Sequence, residues 1–421
     1  MKAEHERVTE DERELSIETQ LAHAGERGEP IVGKPAAVPI YATTTFTYDT
    51  MAEVDAVFAG DEQGYAYTRY GNPTVRALEC ALETLEGGAG ACAYGSGMAA
   101  LHAALLACDL APGSTVLAAQ DLYGTTTHLL ETVFRQFGVR TVLADFNDIA
   151  SLRAVARETR PQVLICETIS NPLLKVCDLE ACAEVAREVR ARLVVDNTFA
   201  SPYLCQPLKH GADISVHSMT KYLGGHGDAT GGVSVAADEK LWERLTAVRN
   251  TVGGVLSVWE AHEILRGVKT LAVRMERQCE NARRLAEHLL TDRRIARVYH
   301  PGFGANEAQA AVAQRMLRPP HTGALVSIEL AENTREAAYR FMDALQLCVR
   351  LTSLGDVVTC VLHPPTASHR SLTPERREEI GITDGLVRVS VGIEDAADII
   401  HDIEQALRTV EEPARSAHAQ I

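Results

Sequence analysis

Cationic excess is missing from this chain of 421 residues: 41 Lys and Arg stand against 57 Asp and Glu, a formal net charge of −16. Nucleic acids and anionic membranes are bound through basic patches, so neither is expected as a partner. A local basic pocket for a small anion stays allowed. Long apolar runs are also missing, since no stretch approaches the roughly 18 residues that would span a bilayer. The opening MKAEHERVTEDERELS contains no apolar core, so it is not expected to be a secretory signal. Ten cysteines are present, at 80, 92, 108, 166, 177, 182, 205, 279, 348 and 360, yet none form a C-x-x-C pair. Zinc-site spacing is therefore absent and no metal is expected. Several lie in apolar runs such as VLICETI and SPYLC, where a free Cys acts as a small hydrophobe. They read as reduced thiols of a cytoplasmic protein.

The length predicts two or three domains. Residues 1–60 read as an arm, broken by Gly and Pro over 17–60, with 1–16 solvated or disordered. From Asn72 the pattern changes. PTVRALECALETLEG is an amphipathic helix, with Pro73 at its start and Gly87-Gly88 as its stop. Apolar runs (ACAY, STVLAA, RTVLAD, QVLICE, ARLVVD, ADISVHS) then alternate with helical segments, among them MAALHAALLAC, THLLETVFRQF and LEACAEVAREV. That alternation predicts an α/β domain over 61–268, built on a mostly parallel sheet covered on both faces. A long helix, a Pro/Gly-rich loop and the strand candidates GALVSIEL and LVRVSVG follow. They predict a smaller α+β domain over 269–421.

In open α/β sheets ligands bind beyond the carboxyl ends of the strands. Ser96, Tyr123, Asn171, Asp196, Ser218, Thr220 and Lys221 all fall at such ends. The turn Gly95-Ser96-Gly97-Met98-Ala99-Ala100 would let N–H groups at a helix start approach a phosphate. It equally fits a dinucleotide fingerprint, G-x-G-x-x-A, or a turn with no ligand. Lys221 follows an apolar run between Ser218 and Thr220, where desolvation lowers an amine's pKa and suits Schiff-base chemistry. Asp196 ends LVVD. A carboxylate there needs a partner, such as a pyridinium nitrogen, or else caps the next helix.

VVDNTF at 194–199 followed by HSMTKYLGGHGD at 217–228 resembles the Cys/Met-metabolism family of pyridoxal-5′-phosphate (PLP) enzymes. That family includes cystathionine γ-lyases and γ-synthases, methionine γ-lyases and homoserine sulfhydrylases. YAYTRYGNPT at 65–74, YGSGMAA at 94–100, DLYG at 121–124 and ETISNP at 167–172 match as well. RGVKTLAVRM at 266–275, SLGD at 353–356 and LVRVSVGIED at 386–395 complete the run, in family order. The resemblance implies the aspartate-aminotransferase-like fold, PLP fold type I, and a homotetramer of two closely joined dimers with shared active sites. It implies PLP bound as a Schiff base on Lys221, which then serves as proton shuttle. Asp196 would pair with the ring nitrogen, and Tyr123 would stack on the ring and assist proton transfer. Gly97, Met98, Ser218 and Thr220 would bind the phosphate, and Asn171 would lie near the phenolic oxygen. Tyr67 and Arg69 would reach the phosphate of the neighbouring subunit, with Tyr67 also near its substrate. Arg388 with Ser353 would hold the substrate carboxylate, for which a guanidinium fork suits bidentate pairing.

The reaction implied is γ-elimination on a sulfur-containing or related γ-substituted L-amino acid through a vinylglycine intermediate. The alternative is γ-replacement, and a nicotinamide oxidoreductase built on the Gly95–Ala100 turn is the remote one. Substrate markers diverge from the relatives. Thr125, a substrate-site candidate, stands where methionine γ-lyases carry Cys, and Arg249-Asn250 where they have Lys-Asp. Val358 occupies a position that is Glu in cystathionine enzymes, which also carry an Arg near His128. Ala367-Ser368-His369 replaces the usual Met-Thr-His. An apolar or specialised leaving group is the resulting expectation.

Overall fold

The computed structural model describes residues 35–303, 307–370 and 372–411. The segment expected to be disordered, 1–16, lies outside them. Residues from Ile40 onward form one compact unit. Seven strands build the larger sheet: β1 (Gly90–Tyr94), β2 (Thr115–Ala119), β3 (Arg140–Ala144), β4 (Val163–Glu167), β5 (Arg192–Asp196), β6 (Ile214–Ser218) and β7 (Gly232–Ala236). Their spatial order is β1-β7-β6-β5-β4-β2-β3, with β7 alone running against its neighbours. A second, mostly antiparallel sheet holds β8 (Ile295–Tyr299), β9 (Leu325–Leu330), β10 (Val349–Arg350), β11 (Cys360–Leu362) and β12 (Leu386–Ser390), ordered β10-β11-β12-β9-β8. A large, mostly parallel sheet with a smaller second sheet is the PLP fold type I architecture expected from the sequence. Among the described residues, no helix is long and apolar enough to cross a membrane.

The strand chemistry follows from this layering. In β1, β2, β4 and β7 every residue is buried, because helices cover both faces of the sheet and leave no solvent side to alternate toward. Helix ends obey local rules. Asn72 caps Pro73–Glu86 through Thr74 N–H, and Gly87 closes it in the left-handed region at φ 72°.

Three departures from the sequence reading stand out. The arm contains a helix, Met51–Ala59, capped by Thr50 and Gly60. None of its residues is buried, so no apolar period marks it. The segment THLLETVFRQF is not one uniform helix: Gly124–His128 is α-helical and Leu129–Phe134 widens to π-type turns. Nothing in the residue pattern marks that widening. Strand β7 was not expected behind the glycine run. Its Gly232 is required by close approach, since an added Cβ would sit 2.1 Å from the Ser96 carbonyl oxygen.

Candidate active site

Glu167, Asp196 and Ser218 are the last residues of β4, β5 and β6, so parallel pairing delivers them to one edge of the sheet. The turn after β1 starts the helix Gly97–Ala107, capped by Ser96, whose hydroxyl accepts from Ala99 N–H at 3.1 Å. The first turn of a helix leaves N–H groups without intrahelical acceptors, here those of Gly97 and Met98. Gly97 packs directly on Ser218: a Cβ on it would lie 2.7 Å from the Ser218 Cβ. The second sheet contributes Arg388 from β12. These groups meet around a cavity of about 450 Å³.

Lys221 Nζ donates to Ser353 Oγ at 2.9 Å. Burial, and then the Arg388 charge, hold its pKa below the ordinary 10.5. Arg388 is 3% exposed. Its guanidinium donates to Asn171 Oδ1 at 2.8 Å and to the Ser353 carbonyl at 3.2 Å, and lies 5.7 Å from the Phe199 ring centroid. Its Nε has no partner, and no carboxylate pairs with it among the described residues. A buried cation is costly unless paired. A carboxylate ligand would supply that pairing.

Asp196 lines the cavity. Burial raises its pKa, opposed by hydrogen bonds from Thr198 and by His217 behind it. Its Oδ1 takes both Thr198 bonds, from the backbone N–H at 3.0 Å and the hydroxyl at 2.6 Å. Thr198 Oγ1 also accepts from Ser218 N–H at 2.8 Å, tying the ends of β5 and β6 together. Glu167 sits opposite Asp196 in the strand register. Burial, and then the Asp196 charge, push its carboxyl well above the usual range. It fixes two neighbours, accepting from Tyr123 N–H at 2.7 Å and from Asn171 N–H at 3.2 Å.

Ten of the residues expected from sequence line this cavity: Ser96, Gly97, Met98, Tyr123, Asn171, Asp196, Ser218, Thr220, Lys221 and Arg388. Ser353 adjoins it through its bonds to Lys221 and Arg388. Thr125 is exposed and does not line it, nor does Val358, which is 39% exposed. Tyr67 and Arg69 stay outside as well. Arg69 bonds the Asn250 carbonyl and lies over the Tyr70 ring at 4.6 Å. Glu167 and Thr198 were not singled out from the sequence. Both lie inside motifs already quoted, ETISNP and VVDNTF, and their strand-end positions were the available signal.

PLP needs an anion seat, a carboxylate for its ring nitrogen and an amine for its carbonyl. The Gly97 cradle, Asp196 and Lys221 fit those needs within one cavity. Comparison with known proteins agrees. The sequence profile of the Cys/Met metabolism PLP-dependent enzymes matches residues 18–408. An L-methionine gamma-lyase of Pseudomonas putida is 40% identical over 371 residues, 88% of this chain and 92% of the relative. A cystathionine beta-lyase of Coxiella burnetii is 39% identical over 394 residues, 93% of this chain and 97% of the relative. The crystal structure of cystathionine gamma synthase from Xanthomonas oryzae pv. oryzae, in complex with aminoacrylate and cysteine, superposes with a TM-score of 0.83 at 37% identity. That match covers 89% of this chain and 93% of the other. A match along nearly the whole chain, joined to a cavity that fits the cofactor, shows that the protein belongs to the Cys/Met metabolism family of PLP-dependent enzymes.

Proposed function

We propose that the chain catalyses γ-elimination on a γ-substituted, sulfur-containing L-amino acid. The observation that carries this reading is the convergence on Ser353 of a buried Arg388, which pairs with no carboxylate among the described residues, and Lys221, whose amine pKa is lowered by burial and then by the Arg388 charge. When bound, PLP supplies an electron sink for charge developing on the substrate carbons. Gly97 and Met98 N–H groups with Ser218 and Thr220 hydroxyls would hold its phosphate. Asp196 would hold its ring nitrogen, and Tyr123 would cover the ring. Arg388 binds the substrate carboxylate and thereby orients Cα and Cβ toward Lys221. The neutral amine of Lys221 then takes the proton from Cα, and a second deprotonation at Cβ lets the γ-substituent leave. Ser353 positions that amine by accepting its hydrogen bond. Ile169, Leu354, Leu362 and Ala367 give the cavity an apolar wall, which supports an apolar leaving side. Val358, standing off the cavity, has no part in that argument.

Likeness to the Xanthomonas cystathionine gamma synthase supports a second reading, γ-replacement, in which a nucleophile adds at Cγ. A panel of methionine, cystathionine, homocysteine, O-acylhomoserines and S-adenosylmethionine, each with and without added thiol, separates them. Release of 2-oxobutyrate without thiol supports elimination, whereas a new thioether formed only with thiol supports replacement.

Two further outcomes are expected. Thr198→Val keeps the shape but removes the hydroxyl that joins Asp196 to Ser218. A hydrogen bond to a charged group contributes about 1.5–3 kcal/mol, so cofactor affinity should fall about tenfold or more. Titration of the apoprotein with PLP measures this, and an unchanged Kd would contradict the role. Second, Tyr67 and Arg69 serve the site of a neighbouring subunit in a homotetramer, which explains why they stand away from their own cavity. Mixing inactive Lys221→Ala with inactive Arg69→Ala protein should restore part of the activity after subunit exchange. No recovery despite proven exchange would mean that each site is built from one chain. Within the compact unit that starts at Ile40, the two separate sheets support the proposed large domain over 61–268 and small domain over 269–421, preceded by the arm 1–60. Ten free cysteines support a cytoplasmic setting.

A further inference from the structure

Three thiols meet under the edge of the sheet, outside the cavity. Cys166 precedes Glu167 on β4. Cys177 stands just before Asp178, the cap of the helix Leu179–Val189, and Cys182 is the fourth residue of that helix. These are the positions where apolar side chains pack together to fix a helix entry, so the cap itself presses the two cysteines into contact. Their Sγ atoms are 3.5 Å apart. Cys166, Cys177 and Cys182 are 1%, 5% and 0% exposed. Hydrogen bonds from Cys166, and then from Cys177, lower the pKa of the Cys182 thiol, against burial and the Asp178 charge, which act to raise it. The positive end of the helix also acts to lower it.

The cluster also touches the active site through the backbone. Cys177 N–H donates to the Thr168 carbonyl at 3.0 Å, and Ile169 pairs with Val176 as an isolated bridge. The loop so closed carries Asn171, which accepts from Arg388.

We propose that Cys177 and Cys182 form an oxidation site that closes to a disulfide when the protein meets a hydroperoxide. Cys182 thiolate attacks the peroxide oxygen, giving a sulfenic acid and releasing hydroxide or alkoxide. Cys177 sulfur then attacks the Cys182 sulfur, and the sulfenic oxygen leaves as water with the thiol proton. Two thiols lose two electrons, and the peroxide O–O bond accepts them. Cys166 remains a thiol and supports the Cys182 thiolate.

The test uses wild-type holoenzyme treated with graded hydrogen peroxide, quenched, alkylated and digested with trypsin. Cleavage after Lys175 and Arg187 places both cysteines on one peptide, Val176–Arg187. The expected result is an unalkylated peptide lighter by about 2 Da, the two thiol hydrogens, reversed by dithiothreitol before alkylation. Cys182→Ser and, separately, Cys177→Ala should each abolish the loss. Cys80, which is exposed, serves as the internal control. Oxidation of Cys80 at peroxide levels that leave this peptide alkylated would overturn the proposal. So would a disulfide joining either cysteine to Cys166.

Discussion

Lys221→Ala should lower turnover by roughly a thousandfold or more, because in the proposed reading it removes both the attachment point of the cofactor and the group that moves protons. The fold should survive. Lys221 is a desolvated amine with one side-chain hydrogen bond, to Ser353, and its side chain borders a cavity that already exists. Thermal unfolding and circular dichroism would therefore stay close to wild type while the visible absorption of the loaded protein is lost. Borohydride reduction of wild-type holoenzyme should fix the cofactor to the peptide containing Lys221. Covalent label on any other lysine would contradict the assignment.

Arg388 carries the next largest effect. Its buried guanidinium, with Nε unpartnered and no carboxylate paired to it among the described residues, is the group proposed above to receive the substrate carboxylate. Arg388→Lys keeps the charge but loses the planar fork. Arg388→Met loses both, and kcat/KM should drop about 100- to 1000-fold, equivalent to about 3–4 kcal/mol. The two variants should differ in their dependence on pH. Arg388 is the second cause, after burial, of the lowered Lys221 pKa. Removing its charge lets that pKa rise, so a higher pH is needed to reach the neutral amine. The rising limb of kcat/KM against pH should move alkaline in Arg388→Met and stay near wild type in Arg388→Lys. A loss confined to kcat, with KM and the pH profile unchanged, would remove Arg388 from carboxylate binding.

Much of this site was legible before any coordinates, and for a definite reason. Strand-end residues in a parallel sheet are gathered by topology, so Asp196 and Lys221 could be paired without knowing a distance. Apolar continuity marked β2, β4 and β5 because those strands are buried on both faces. Other features carry no such one-dimensional mark. Glu167 looks like any strand-terminal glutamate until the register sets it beside Asp196. Thr198 matters only because β5 and β6 bring Ser218 within 2.8 Å of its hydroxyl. The helix Met51–Ala59 buries nothing, so its sequence is free of the period that would betray it. Val358 illustrates the reverse error. Position in a motif made it a substrate marker, yet its side chain does not line the cavity, and the apolar wall comes from Ile169, Leu354, Leu362 and Ala367.

The claim of γ-elimination is tested most directly by running each active substrate in deuterated water. Recovered substrate and keto-acid product would be examined by mass spectrometry and proton NMR. Chemistry at Cγ requires Lys221 and its partners to take protons from Cα and from Cβ, so deuterium should enter both positions and 2-oxobutyrate should accumulate. Recovered substrate deuterated at Cα alone, with pyruvate as the sole keto acid, would identify a β-lyase and contradict the account.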